Sequence, residues 1–207
     1  MNINDKSRFL SSMHAAFLTG LATLALTACT PQAGAPSEPP LAGADIGGPF
    51  SLTNSAGDTV TWEDFRGQYA VVYFGYAYCP DVCPTDMQRT AQGLREFVAK
   101  DASMEDKVQA VFITIDPERD TPEVVGEFTS AFSEDLIGLT GSPEAIKAAA
   151  DAFRVYYKKG EEGAGGGYLV DHTNIVYLFD PAGEPLAMLP TSEGAEAVAA
   201  ELAQWVE

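Results

Sequence analysis

The sequence predicts an α/β fold in which a central mixed β-sheet is flanked by helices and preceded by an N-terminal β-hairpin. Residues 70–75 form a continuous apolar run, as expected for a strand buried on both faces. Apolar residues then recur at helical spacing through residues 84–99, and a second apolar strand follows at 108–115. A strand, a helix and a strand in this order indicate a right-handed parallel crossover. Residues 175–179 and 186–189 flank a strong turn signal and add an antiparallel hairpin to the sheet.

The remaining elements complete this order. Residues 50–52 and 59–61 flank a turn-forming Asn-Ser-Ala-Gly-Asp segment and predict the N-terminal hairpin. Residues 122–132 and 143–153 are predicted helices, each with a proline near its first turn, and a short strand is expected between them. Residues 193–206 predict a closing helix. A sheet with strands of both senses, covered by helices on both faces in this order, indicates a thioredoxin-like fold.

The N-terminus has the features of a secretory leader. Lys6 and Arg8 precede a mostly apolar stretch, residues 9–26, that contains no Asp, Glu, Lys or Arg. Leu-Thr-Ala then stands directly before Cys29, which resembles the lipobox of bacterial lipoproteins. We therefore predict that residues 1–28 are a lipoprotein signal peptide and that Cys29 carries the lipid. The alternative is an uncleaved membrane anchor, for which about 20 apolar residues are needed. Both interpretations place the domain at the extracytoplasmic (periplasmic) face of a bacterial membrane.

The rest of the chain divides into a tether and one domain. Residues 29–45 are rich in Pro, Ala and Gly and predict a flexible tether, whereas residues 46–207 predict a single domain. The chain has a formal net charge of −18. Such acidity argues against nucleic acid as a partner, because the phosphate backbone selects for basic surfaces. It favours a basic partner or a cation, or it simply keeps a secreted domain soluble.

Two cysteines lie where the first buried strand gives way to a helix, at the edge where α/β sheets collect ligand sites. Outside the cytoplasm, Cys79 and Cys83 could form a structural disulfide, but a bridge across three residues closes too small a loop to gain much stability. Their close spacing is more typical of redox-active or metal-binding cysteines. With Pro84 at the first helical position, Cys83 is predicted at the N-cap, where the helix dipole favours a thiolate. Asp81 acts against this effect.

The spacing of the cysteines favours a metal. Thioredoxins use Cys-x-x-Cys, and the additional residue here makes room for an ion between the sulfurs of Cys79 and Cys83. Two thiolates select a soft ion, Cu(I) first and zinc as a further possibility. His172 is the single histidine after the predicted signal peptide, and it precedes a strand whose leading loop packs against the cysteine motif in thioredoxin-like folds. These three residues are the candidate ligands, and the set suits both Cu(I) and Cu(II).

Four spaced motifs together resemble the Sco/SenC family. They are Tyr73-Phe74-Gly75-Tyr76, Cys79-Pro80-Asp81-Val82-Cys83-Pro84, Thr114-Ile115-Asp116-Pro117-Glu118-Arg119-Asp120-Thr121-Pro122 and Asp171-His172. The resemblance covers residues 46–190 and implies that Cys79, Cys83 and His172 bind copper. It further implies a role in building the CuA centre of cytochrome c oxidase, as copper donor, as reductant of the target's cysteines, or as both. The expected partners are the copper-bearing subunit of the oxidase and other copper chaperones.

Two acidic residues are candidates for supporting contacts. Asp116 follows the second buried strand and should reach the same sheet end as the cysteines, where it could accept a hydrogen bond near the metal or dock a partner. The ordinary alternative is that Asp116 and the following proline only end the strand. Asp171 is placed to orient the ring of His172, a common arrangement for a metal-bound histidine.

The cysteine pair also leaves an enzymatic function open. A thiol–disulfide oxidoreductase would use Cys79 and Cys83 as its redox-active pair, would work without metal and would not need His172. A peroxidase of the peroxiredoxin type is disfavoured, because no Pro-x-x-x-Thr-x-x-Cys spacing precedes either cysteine.

Overall fold

The computed structural model of this chain describes residues 38–163 and 167–207. Within them the chain forms nine strands and four α-helices. The strands are β1 (Ser51–Asn54), β2 (Thr59–Thr61), β3 (Tyr69–Gly75), β4 (Val108–Thr114), β5 (Ile137–Thr140), β6 (Tyr157–Lys159), β7 (Val170–His172), β8 (Val176–Phe179) and β9 (Pro185–Leu189). The helices are α1 (Val82–Val98), α2 (Pro122–Ser130), α3 (Pro143–Ala152) and α4 (Ala195–Trp205).

Seven of the strands form one mixed sheet in the order β2-β1-β5-β4-β3-β8-β9. Strand β4 pairs in parallel with both β3 and β5, whereas β8 runs antiparallel to β3 and to β9. The predicted crossover and the late antiparallel hairpin are thus confirmed. Strands β6 and β7 pair only with each other and form a separate two-stranded sheet. We call this small sheet, with the described residues 160–163 and 167–169 between its strands, the histidine hairpin, because its last residue is His172.

Both faces of the main sheet are covered, as predicted. Tyr73 and Phe112 are paired across β3 and β4, and Phe112 meets Phe128 of α2 with ring centroids 4.9 Å apart. On the opposite face, Phe74 meets Phe153 at the end of α3, at 5.4 Å. Every residue of β3 after Tyr69 is buried, which explains its continuous apolar sequence. The thioredoxin-like fold is confirmed.

One local prediction needs correction, and one small element was not predicted. Helix α1 begins at Val82 with Asp81 as its N-cap, so Cys83 is the second helical residue and not the N-cap. Pro84 fits at the third position because the first four N–H groups of a helix have no partner within it. The histidine hairpin was not predicted, because its strands are three residues long and Lys158 and Lys159 are exposed.

Residues before position 46, the predicted start of the domain, also contact the packed core. Leu41 contacts the core, and its N–H donates to the Leu186 carbonyl of β9 at 2.9 Å. Arg154 pairs with the carboxylate of Asp45. The predicted signal peptide 1–28 and the lipidation site Cys29 lie outside the described residues. In the part that is described, none of the helices has the length and apolar character needed to cross a membrane.

Candidate metal centre

The cysteines are presented by the loop that leaves β3 and by the first turn of α1. The N–H of Cys79 donates to the Tyr76 carbonyl at 3.1 Å, and the N–H of Cys83 donates to the Cys79 sulfur at 3.4 Å. Both cysteines are free thiols. Cys83 is fully buried, whereas Cys79 is 9% exposed. The local geometry therefore turns both sulfurs toward one point, with Cys79 nearer to solvent.

His172 completes the group from the histidine hairpin. Its Nε2 lies 3.3 Å from the Cys83 sulfur, and its Nδ1 lies 2.9 Å from the Thr173 carbonyl oxygen. A carbonyl oxygen only accepts, so Nδ1 carries the proton and the lone pair of Nε2 faces the sulfur. The donor atoms of Cys79, Cys83 and His172 all lie within 4.8 Å of one another. The three predicted ligands therefore converge.

Burial dominates the electrostatics of the site. Desolvation raises the pKa of the Cys83 thiol well above its usual range, and the nearby Cys79 raises it further. Desolvation also lowers the pKa of His172, although its hydrogen bond to Thr173 and the negative charge of Asp86 act in the opposite direction. The sequence left the ionisation of Cys83 open, with the helix N-terminus favouring a thiolate and Asp81 opposing it, and burial decides it in favour of the thiol. The metal-free pocket holds a thiol and a neutral imidazole, and a bound cation would replace the thiol proton.

The chemistry of this donor set fits a soft ion. Two sulfurs and one imidazole nitrogen suit Cu(I), Cu(II) and zinc. A closed structural zinc site has four ligands, and the described residues bring three of these donors together. A groove beside Cys79, lined by Pro80, Leu169 and Asn174, leaves the remaining side of the group accessible. The arrangement is that of an open site at which an incoming ligand has room.

The hydrogen bonds described for the two predicted supporting acids do not join either of them to the metal ligands. Asp171 precedes His172 on β7, and neighbouring side chains of a strand point to opposite sides, so its carboxylate is exposed. The Thr173 carbonyl takes the orienting role that was predicted for Asp171. Asp116 is buried at the expected sheet end, but the hydrogen bonds described for its carboxylate join it to Arg119 and Tyr168 and not to the metal ligands.

Two further buried carboxylates near the site were not predicted as functional. Asp86 is three residues after Cys83 on α1 and accepts a hydrogen bond of 3.4 Å from the Tyr73 hydroxyl. Asp120 accepts from the Ala77 N–H at 2.8 Å and from the Thr114 hydroxyl at 2.6 Å. The signal for Asp86 is an acid on the buried face of α1, next to Met87 and Thr90. Asp120 has no comparable signal, because its sequence context also suits the start of a helix.

Comparison with known proteins identifies relatives of this chain. The model of the protein family described as SCO1/SenC matches residues 38–207 of this chain. The human mitochondrial protein SCO1 homolog is 40% identical over 158 residues, which cover 76% of this chain and 52% of that protein. The chain spans about half the length of the curated relatives that it matches.

Solved structures agree with this result. The structure of Bradyrhizobium japonicum ScoI with copper bound is 40% identical, has a TM-score of 0.70 and covers 78% of this chain and 99% of that one. A SCO1/SenC family lipoprotein from Bacillus anthracis is 25% identical, with a TM-score of 0.66, over 83% of this chain and 99% of that one. The family match extends over most of the sequence and includes the whole metal centre, and so this chain belongs to the SCO1/SenC family.

Proposed function

We propose that this protein binds one copper ion through Cys79, Cys83 and His172 and delivers it to the CuA centre of cytochrome c oxidase. The observation that carries the proposal is the convergence of two thiols and one imidazole within 4.8 Å. The copper-bound structure of the B. japonicum relative supports the choice of metal. In this proposal copper is the cargo of the protein, held for transfer to a partner.

The burial of the three ligands suggests how transfer begins. Cys79 and the half-buried His172 both line the open groove, whereas Cys83 has no exposed surface. An incoming thiol or imidazole from the partner reaches the ion from this side and replaces Cys79 or His172 first. Cys83 then holds the ion longest, until the partner has supplied more ligands. A three-coordinate site leaves room for this associative exchange.

The second candidate function is a thiol–disulfide oxidoreductase that reduces cysteines of the oxidase subunit or of other extracytoplasmic targets. It is favoured by the two free thiols, whose sulfurs lie close together. Cys79, the more exposed thiol, would attack the target disulfide, form a mixed disulfide and release one target thiol. Cys83 would then attack the Cys79 sulfur, form the internal disulfide and release the second target thiol. The raised pKa of Cys83 makes that second step slow, because the thiolate is the reactive form.

We place the protein on the periplasmic face of a bacterial membrane, held by a lipid on Cys29. The leader with its Leu-Thr-Ala-Cys ending supports this location, and the B. anthracis relative is described as a lipoprotein. The proposed partners are the copper-bearing oxidase subunit and other copper chaperones that supply the ion.

Copper stoichiometry of the full chain tests the proposal. The protein is loaded anaerobically with Cu(I), and separately with Cu(II), as wild type and as Cys83→Ala and His172→Ala variants. Asp171→Asn is the matched control, because it changes the residue beside His172 and removes no hydrogen bond to the site. We expect one copper per chain in the wild type and the control, loss in Cys83→Ala and weaker binding in His172→Ala. If the reduced wild type binds no copper tightly and the metal-free protein reduces disulfides, the copper-delivery function is wrong and the oxidoreductase function takes its place.

A further inference from the structure

Within the described residues, the histidine hairpin makes no backbone hydrogen bond to the seven-stranded sheet from which the cysteine loop emerges. The distance between His172 and Cys83 is therefore not set by a continuous β-ladder. Residues 173–175 join His172 to β8, and the Val170 N–H donates to the Tyr76 hydroxyl at 3.2 Å. Val170 is also buried against the core. The part of the hairpin that precedes Val170 depends on side-chain contacts for its position beside the cysteine loop.

Tyr168 supplies contacts that fasten the hairpin to the loop after β4. Its hydroxyl donates to the Asp116 carboxylate at 2.7 Å, and its carbonyl accepts from Arg119 at 3.1 Å. The guanidinium carbon of Arg119 lies 3.6 Å from the centre of the Tyr168 ring, and the Lys159 ammonium lies 4.0 Å from it. Tyr168 is thus held by both its polar end and its ring, four residues before His172.

Arg119 also reaches the cysteine loop. Its guanidinium carbon lies 5.1 Å from the centre of the Tyr78 ring, and Tyr78 directly precedes Cys79. The Nε of Arg119 donates to the buried Asp116 carboxylate at 2.5 Å, and this ion pair holds the guanidinium in place. The guanidinium is therefore in contact with one aromatic ring from each half of the metal centre.

The loop after β4 also contacts the cysteine loop through Asp120, at the end away from Asp116. Asp120 accepts from the N–H of Ala77, two residues before Cys79, and from the hydroxyl of Thr114 on β4. The N–H groups of Arg119 and Asp120 both donate to the Asp116 carbonyl, at 3.1 and 3.0 Å, and close the loop into a turn. These bonds link the end of the loop that holds Tyr168 to the end that holds Ala77.

We propose that residues 116–120 act as a strut that sets the distance between the cysteines and the histidine. Asp120 fixes the cysteine loop, and Asp116 with Arg119 fixes the histidine hairpin through Tyr168. Tyr168 and Arg119 are positioning residues, since neither contacts the donor atoms. The inference deepens the proposed copper site and names residues that decide whether His172 is in place when the ion arrives.

The test compares Tyr168→Leu with Tyr156→Leu in the full chain, purified in mild detergent. Tyr156 directly precedes β6 of the hairpin but is 62% exposed, and its backbone bonds to Thr173 do not depend on its side chain. Hydrogen exchange of the metal-free protein is measured at two amides. The Val170 amide reports separation of the hairpin from Tyr76, and the Thr173 amide, which donates to the Tyr156 carbonyl, reports the integrity of the hairpin.

We expect Tyr168→Leu to speed exchange of the Val170 amide about tenfold and to leave Thr173 unchanged. Tyr168→Phe keeps the ring over Arg119 and loses the hydroxyl, so a smaller increase of about threefold is expected. Tyr156→Leu should match the wild type. Unchanged Val170 exchange in Tyr168→Leu overturns the strut, and a parallel increase at Thr173 also overturns it, since Tyr168 would then only stabilise the hairpin itself.

A second readout uses Cu(II). The nitrogen hyperfine coupling from His172 should weaken or split into two populations in Tyr168→Leu and remain single in Tyr156→Leu. An unaltered coupling in Tyr168→Leu contradicts the strut. If the wild type binds no copper, the proposed function fails while the exchange experiment still decides the inference.

Discussion

Gly75 ends β3 directly beneath the metal centre, and replacement by alanine tests how closely the site is packed. A methyl group at this position would lie 3.0 Å from the Cys83 sulfur, 2.8 Å from Cε1 of Tyr73 and 3.0 Å from Cε2 of Phe112. All three side chains are fully buried, so none can move into solvent. Because carbon contacts are most favourable at about 3.5–4.0 Å, the neighbours must shift by roughly 0.5–1 Å.

The magnitude follows from overpacking of a rigid core. Adding a methyl group to a well-packed interior costs about 1–3 kcal/mol, and replacing glycine in a strand returns about 0.5–1 kcal/mol. We expect a net loss that lowers the melting temperature of the Gly75→Ala variant by about 2–8 °C. The displaced sulfur also weakens the copper site, and a loss of about 1.4 kcal/mol in binding corresponds to tenfold in affinity.

Gly93→Ala separates these two effects. A methyl group at Gly93 would lie 2.5 Å from Cγ1 of Val198, where α1 packs against α4, away from the metal centre. Thermal unfolding and competition titration with a Cu(I) chelator are measured for both variants. We expect both to lose stability and only Gly75→Ala to lose affinity. The reasoning is refuted if Gly75→Ala binds copper like the wild type, or if Gly93→Ala loses as much affinity.

Three other outcomes follow from the buried polar groups. Copper affinity should fall about tenfold per pH unit for each displaced proton between pH 8 and 6, because the raised pKa of Cys83 keeps this thiol protonated in the metal-free protein. The lowered pKa of His172 shifts the contribution of this residue to more acidic pH. Competition with a chelator measures the affinity across this range, and an affinity that does not change with pH would contradict the reasoning. Burial raises the pKa of Asp86 above its usual 3.8, so its contribution to stability is present below that pH and is lost as pH rises through the folded-state pKa. Asp86→Asn should therefore gain stability relative to the wild type as pH rises in denaturant titrations, and a constant difference would contradict this. Asp120→Ala leaves the Ala77 N–H and the Thr114 hydroxyl without their acceptor and should cost about 2–4 kcal/mol in unfolding free energy, whereas Asp120→Asn, which keeps an oxygen, should cost less than half of that.

The main sheet and the metal ligands could be predicted because their signals are local. The run 70–75 is apolar since β3 is buried on both faces, and one histidine after the predicted signal peptide left a single candidate to join Cys79 and Cys83. The topology then placed His172 near the cysteines, and the structure brings it there.

The supports of the site could not be predicted because they depend on contacts between distant residues. Nothing in the sequence around Tyr168 shows that its ring lies on Arg119, 49 residues earlier. The ionisation of Cys83 could not be decided from sequence, because the helix start is visible there and the depth of burial is not. Asp171 was chosen for its adjacency to His172, yet adjacency on a strand separates two side chains.

The first described residues of the chain join the main sheet at the end opposite the metal ligands. Leu41 is tied to Leu186 near the start of β9, and β9 pairs there with the end of β8, beside the first residues of β3. The cysteines follow the last residue of β3. Seven residues of strand, about 23 Å, separate the two ends of the sheet. The described N-terminal segment therefore joins the sheet at one end, and the candidate metal ligands lie at the other. If the protein is attached through residues before Leu41, as proposed, the metal site is left open to a partner at the end away from the attachment.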